Sequence, residues 1–334
     1  MDIFTPIVEK NKLHPHFLKI IQEPDISAQE VLLDWANGFI DRDNKFIFEF
    51  QTTFNSSFWE LYLFACLKDL NLHVDFSYSS PDFVVISPSQ LFNIEATTAN
   101  NAVDSPEEWN EDIKIKTILN PSLKQNLDLM AYFATIRLAN AFVSKYKKYK
   151  NKYIKLDQVR DKPFVIAVAP FEQPFFWKQG IQAVTRVLYG CDLSYEGIKC
   201  LDFVEKSNGS KVPLGYFTNE QMKEISAIIF TNTATFGKVR ALSKDLNFIW
   251  FEVLRYKRGL PPIHEVLEKK DYHETLLDGL HIFHNPYADE PLDTQIFNRP
   301  EIVHHIFDVE RRVPMENASD GALIMRELIR IRSH

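Results

Sequence analysis

Pro81-Asp82-Phe83-Val84-Val85-Ile86 and Phe92-Asn93-Ile94-Glu95-Ala96-Thr97 are two apolar runs separated by Ser87-Pro88-Ser89. Each run carries one acid in an otherwise hydrophobic setting. Short apolar runs around a Ser/Pro turn predict a β-hairpin at the centre of a sheet. Asp82 opens the first strand and Glu95 stands near the end of the second. In an antiparallel pair the start of one strand lies beside the end of the next, so the two carboxylates converge. Convergent carboxylates are what a hard divalent cation such as Mg²⁺ takes as ligands.

Before the hairpin, residues 55–70 place Phe58, Leu61, Tyr62, Ala65 and Leu70 at the helical period and predict a helix. Residues 28–39 predict another, with Ser27 as N-cap and Glu30 completing a capping box. A short helix is expected at 17–22, and strands at 45–50 and 73–78. After the hairpin, 100–121 is polar and acidic and reads as a loop with a short helix. Residues 123–149 predict a long helix, and 163–169 an all-apolar strand of the fully buried kind. Beyond that the expectations are a helix over 175–189, a hairpin around Asn208-Gly209, strands at 225–230 and 248–254, and a last helix at 321–331.

The element order up to residue 169 is therefore helix, strand, strand, strand, helix, strand. With Glu60 on the first helix, Pro81-Asp82 opening the second strand and Glu95-Ala96-Thr97 in the third, it resembles the PD-(D/E)XK nuclease superfamily. The likeness covers residues 55–169, about a third of the chain. It implies an α/β fold with a restriction-endonuclease-like core: a central mixed sheet flanked by helices in the order α-β-β-β-α-β. That core spans about 45–170, and a C-terminal extension of about 171–334 elaborates it into a single domain. By the same resemblance Asp82, Glu95 and the Ala96 carbonyl hold Mg²⁺ or Mn²⁺, Glu60 reaches or aligns the metal, and the chemistry is phosphodiester hydrolysis in DNA with a restriction- or defence-like role. The family usually has lysine two residues after the second acid; here that position is Thr97. Some members carry the lysine on the next helix, where Arg137, Ala141 and Lys145 share one face and Lys145 can point at the hairpin end.

Each of these residues also has a plainer reading. Asp82 can cap a Pro-Asp turn, Glu95 can sit on an edge strand facing solvent, and Ser57-x-x-Glu60 fits a capping box. The basic run Lys145, Lys147, Lys148, Lys150, Lys152, Lys155, Arg160 and Lys162 interleaves with Tyr146, Tyr149 and Tyr153. It reads either as a phosphate-tracking surface with stacking aromatics or as the solvated end of a long helix. His281-x-x-His284 and His304-His305 have no acid or cysteine spaced to complete a zinc site and read as structural. The acidic run 104–112 is a solvated loop or a lid beside the site.

A length of 334 residues allows a full core, and a composition of 45% hydrophobic and 25% charged residues is that of a globular chain. Only 10 glycines, with no G-x-x-x-x-G-K-[ST] and no G-x-G-x-x-G, exclude the common phosphate loops. A net charge of −7 disfavours a nucleic-acid coat protein while allowing a local basic groove. Three cysteines without CxxC spacing read as buried or incidental thiols in a reducing cytosol. No leader and no membrane-length apolar run is visible, so a cytoplasmic protein with no membrane partner is expected. The leading expectation is a metal-dependent nuclease with nucleic acid as partner; a homodimer is open. The alternative is a catalytically inactive nuclease-like module that binds nucleic acid or a protein, which the charge and Thr97 favour. A histidine-based hydrolase is the third, and no nucleophile elbow supports it.

Overall fold

The computed structural model describes residues 1–22, 26–101, 123–171, 173–194, 197–244 and 249–330. After β1 (His73–Val74), strands β2 (Phe83–Ile86) and β3 (Leu91–Asn100) form the expected hairpin, with Phe83 opposite Ile94 and Ile86 opposite Leu91, but near one edge of the sheet rather than at its centre, because later strands are added beyond β4. Ser87 pins its turn: the hydroxyl donates to the Gln90 carbonyl at 2.8 Å and accepts from the Gln90 amide at 3.0 Å. β3 runs parallel to β4 (Phe164–Phe171), all eight residues of which are buried. A strand covered on both faces must be apolar throughout, which is the pattern 163–169 carries.

Among the described residues four α-helices precede the hairpin: α1 (Pro15–Gln22), α2 (Ile26–Ala36), α3 (Phe46–Thr52) and α4 (Phe54–Asp69). Eleven of the sixteen α4 residues are buried, so this helix is covered nearly all round and lies under the sheet. Trp59 Nε1 donates to the Ala167 carbonyl of β4 at 3.1 Å and fixes that crossing. The long helix α5 (Leu123–Asn151) covers the opposite face together with α6 (Gln182–Tyr189). Along β4, Val165, Ala167 and Ala169 enter the core under α4, while Phe164, Ile166 and Val168 enter the core under α5 and α6. The observed order α4-β1-β2-β3-α5-β4 is the order read from the sequence.

The C-terminal half extends this sheet. With β9 (Ala227–Phe230), β12 (His281–His284), β13 (Val303–Asp308) and β14 (Val313–Asn317), it becomes eight-stranded and mixed, in the order β1-β2-β3-β4-β9-β12-β13-β14. A second sheet has β10 (Ile249–Arg255) between β11 (Ile263–Glu268) and β15 (Leu323–Arg330). Two hairpins, β5 (Cys191–Ser194) with β6 (Gly197–Cys200) and β7 (Phe203–Glu205) with β8 (Lys211–Pro213), follow α6. The second closes around Asn208-Gly209, as expected.

Several expectations fail for physical reasons. Residues 45–50 alternate Phe46, Phe48 and Phe50 but form α3 rather than a strand. Phe46, Phe50, Phe54 and Phe58 pack on one another at successive intervals of four, with centroids 5.9, 5.0 and 5.3 Å apart, while Phe48 is exposed. The strand at 73–78 shrinks to two residues. Residues 175–189 hold a 3₁₀ turn (Phe176–Gln179) before α6 rather than one helix. Where a helix is expected at 321–331, Leu323–Arg330 form β15 instead, because pairing with β10 from Leu323/Arg255 to Arg330/Ile249 overrides local preference; residue 331 lies outside the described residues. Ser27 lies inside α2, where its hydroxyl accepts from the Lys244 amide at 2.8 Å, so it is not the N-cap. The acidic run 104–112 lies outside the described residues. Among the described residues no helix is long and apolar enough to cross a membrane.

One charged group ties the second sheet to the first. Helix α7 (Phe236–Leu242) starts just beyond β9 and carries Lys238, which is fully buried. Its ammonium pairs with Glu274 and donates to the carbonyls of Thr275 (3.0 Å) and Asp278 (2.7 Å). Arg326 of β15 reaches the other Glu274 oxygen at 2.9 Å and Thr235 Oγ1 at 3.2 Å. Gly237 must be glycine here: a Cβ would stand 2.0 Å from Arg326 Nη1.

Candidate active site

Period-2 alternation along β3 sends Phe92, Ile94 and Ala96 into the core under α4, and turns Asn93, Glu95 and Thr97 to the α5 side. Glu95 is fully buried there. Helix α5 runs along the strand: Arg137 donates to the Asn100 carbonyl (2.8 Å) and the Asn101 carbonyl (3.0 Å), and two turns later Lys145 reaches Glu95. Lys145 Nζ is 2.7 Å and Lys148 Nζ 2.8 Å from Glu95 Oε1. Tyr153, in the 3₁₀ turn after α5, donates from its hydroxyl to Glu95 Oε2 at 2.8 Å. A buried carboxylate is tolerated when it is paired and hydrogen-bonded in this way.

Asp82 sits just before β2, one rung beyond the Phe83/Ile94 pair, and its Oδ2 accepts from the Ala96 amide at 2.7 Å. The loop leading to it is fixed from both sides. Arg42 Nη1 donates to the Tyr78 (2.6 Å) and Pro81 (3.2 Å) carbonyls, and Gln158 Nε2 to the Ser80 carbonyl (2.7 Å). Helix α4 starts at Phe54 with Thr53 as N-cap, so Ser57 is buried mid-helix and the Ser57/Glu60 capping box does not exist. Glu60 instead lies close enough to Asp82, Arg42 and Glu95 to feel their charges.

The three carboxyls are electrostatically unlike. Burial pushes Glu60 up to about 8, and the Asp82 charge adds to it. Burial pushes Asp82 up to about 7, with the Glu95 charge adding and Lys145 opposing. Burial also acts against Glu95, but Lys145 and Lys148 outweigh it and hold this carboxyl below its usual range. One ionised acid beside two that hold their protons near neutrality is the state of like charges crowded into one site.

This arrangement sets a pH dependence. The folded chain binds more protons than the unfolded one at Asp82 and Glu60. Their contribution to stability is fully present below about pH 4 and is lost as pH rises through 7 and 8. Asp82→Asn keeps an oxygen for the Ala96 amide. In chelator-treated protein it is expected to gain about 2 kcal/mol over wild type between pH 5 and pH 8.5. Urea denaturation at both values checks this; equal shifts at both would contradict it.

The chain matches no family model, no curated protein and no solved structure. The site must therefore be read from its own atoms. Asp82, Glu60, Glu95 and the Ala96 backbone offer only hard oxygen donors, the set that suits Mg²⁺ or Mn²⁺. Among the described residues no three acids, histidines or cysteines already stand as a cage for an ion. Both Glu95 oxygens are engaged by protein donors. Thr97 follows on the same face, half-buried.

Lys148, Tyr153 and Arg42 were not singled out by the sequence as site residues. Lys148 follows Lys145 by three and shares its helix face, a signal that was there to be used. Tyr153 lies past the helix end, where periodicity gives no guide. The basic run does not present stacking aromatics: Tyr149 and Tyr153 are buried, and Tyr146 donates to Glu224 at 2.9 Å. Lys147, Lys152 and Lys155 remain exposed. The four histidines are buried in pairs, His281 with His305 (3.0 Å) and His284 with His304 (2.9 Å), and burial pushes His281 and His284 down to about 4.

Proposed function

We propose that this chain is a metal-dependent nuclease of the PD-(D/E)XK type that hydrolyses phosphodiester bonds in DNA. The observation that carries the reading is the 2.7 Å contact of Lys145, a helix lysine, with Glu95, whose own motif has Thr97 in the lysine position. Asp82, Glu95 and the Ala96 carbonyl, with Glu60 behind Asp82, are the groups to hold Mg²⁺ or Mn²⁺. The ion would lower the pKa of an attacking water and offset charge on the phosphate. Lys145 and Lys148 keep Glu95 ionised and bring positive charge to where the phosphate must sit. Tyr153 holds Glu95 in place, and its phenol, pushed up by burial and by Glu95, stays protonated as a donor. Arg42 and Gln158 fix the Asp82 loop.

A second reading is a catalytically inactive nuclease-like module. The satisfied state of both Glu95 oxygens favours it. Incubation with plasmid, single-stranded DNA and RNA in Mg²⁺ or Mn²⁺ separates the two. Wild type is expected to cleave DNA. Asp82→Ala is expected to abolish cleavage, and Lys145→Ala to slow it by about 10²-fold. Cleavage that survives Asp82→Ala rejects the mechanism; cleavage that survives only Lys145→Ala rejects the role of that lysine. Wild type inert with both ions leaves the binding module.

A further inference from the structure

We propose that Cys191 and Cys200 are a reversible oxidation site, closed to a disulfide by exchange with a small-molecule disulfide. They stand directly opposite each other in the antiparallel β5/β6 hairpin. The Leu201 amide donates to the Gly190 carbonyl at 2.7 Å, so the Gly190/Leu201 rung is the hydrogen-bonded one. The next rung, Cys191/Cys200, is therefore non-hydrogen-bonded, the kind in which facing Cα atoms approach to about 4.5 Å. That lies within the span of about 4.4–6.8 Å that a disulfide bridges without moving backbone. The Cys200 thiol lies close enough to Cys191 to raise its pKa further. The base of the hairpin is tight: Gly190 has φ +60°, and a Cβ there would meet the Leu201 carbonyl oxygen at 2.9 Å.

The two sulfurs differ in access, which orders the chemistry. Cys200 is exposed, while Cys191 is buried with its Sγ 3.2 Å from the Tyr189 carbonyl. Burial pushes the Cys191 thiol up to about 11, so it is a poor first attacker. The Cys200 thiolate attacks the external disulfide, and one small thiolate leaves with the S–S electron pair. Cys191 then loses its proton and attacks Cys200 Sγ, expelling the second small thiolate. Two cysteines are oxidised by two electrons and one external disulfide is reduced to two thiols. Cys66 takes no part: it is buried in α4 in the core on the opposite face of the sheet from Cys191.

The test treats the full chain with oxidised glutathione, then counts thiols by alkylation in denaturant and weighs the intact chain. Wild type is expected to fall from three thiols to one, to be two hydrogens lighter, to stay monomeric on a non-reducing gel and to recover all three with dithiothreitol. Cys191→Ser is expected to stop at a stable glutathione adduct on Cys200. Cys200→Ser is expected to keep both remaining thiols. Wild type that keeps three thiols, accumulates the Cys200 adduct, or links two chains overturns the proposal. So does a Cys191→Ser chain that loses both remaining thiols without an adduct.

Discussion

Glu274→Ala is expected to destabilise the fold by about 3–5 kcal/mol, the largest loss expected from any single charged side chain among the described residues. Lys238 and Arg326 share the Glu274 carboxylate, and all three side chains are buried to within 1% exposure. Tyr272 adds a hydrogen bond to the same oxygen that Arg326 uses. Truncation strands two cations where water cannot reach them, and the cost is that of uncompensated buried charge rather than of one lost contact. Urea denaturation measures it. A loss under about 1 kcal/mol would mean that water or Asp278 takes over and that the two cations are not stranded. Because Lys238 belongs to α7 and Arg326 to β15, the mutant should loosen the three-stranded sheet first, seen as faster amide exchange in β10 and β15 than in β3 and β4.

Glu95→Gln carries the second large effect, on activity rather than on stability. The substitution keeps the shape and removes the charge that Lys145, Lys148 and the bound ion would share. If the nuclease reading holds, several kcal/mol of transition-state stabilisation go with it, so single-turnover cleavage is expected to fall by about 10³-fold or more. Its cost in stability should be smaller than that of Glu274→Ala. The Lys145 and Lys148 side chains are 21% and 44% exposed and can turn to solvent when the anion is lost. A variant that keeps a tenth of wild-type cleavage would remove Glu95 from the mechanism.

The contrast between these two acids shows where sequence reasoning reaches. Glu95 was visible as an acid between Ile94 and Ala96 in a strand that could not hold it unpaired. Lys145 was visible because the resemblance implies a lysine on the next helix and helical spacing puts Lys145 on one face with Arg137. The Lys145 and Glu95 side chains meet at 2.7 Å. Glu274 gave no such signal: it sits in an irregular stretch before β12, and its partners are 36 residues before it and 52 after it. The misread elements have the same origin. Residues 46–50 satisfy a period of two and a spacing of four at once, and only the neighbouring Phe54 and Phe58 decide between them. Residues 323–330 are helix-like in composition, yet β10 offers a full ladder. The strands β12 and β13 were hidden because each carries two histidines, whose burial depends on pairing across strands and not on their own hydropathy.

β4 gives the molecule a parity rule. Its even-numbered residues Phe164, Ile166 and Val168 press on the layer that carries Lys145, and Ile166 lies in register with Glu95. Its odd-numbered residues Val165, Ala167 and Ala169 press on the layer that carries Glu60, and Trp59 is bonded to the Ala167 carbonyl. A change of side-chain volume at one position is transmitted to the lysine half of the site. The same change one residue further along is transmitted to the other half, so a single strand addresses the two halves separately.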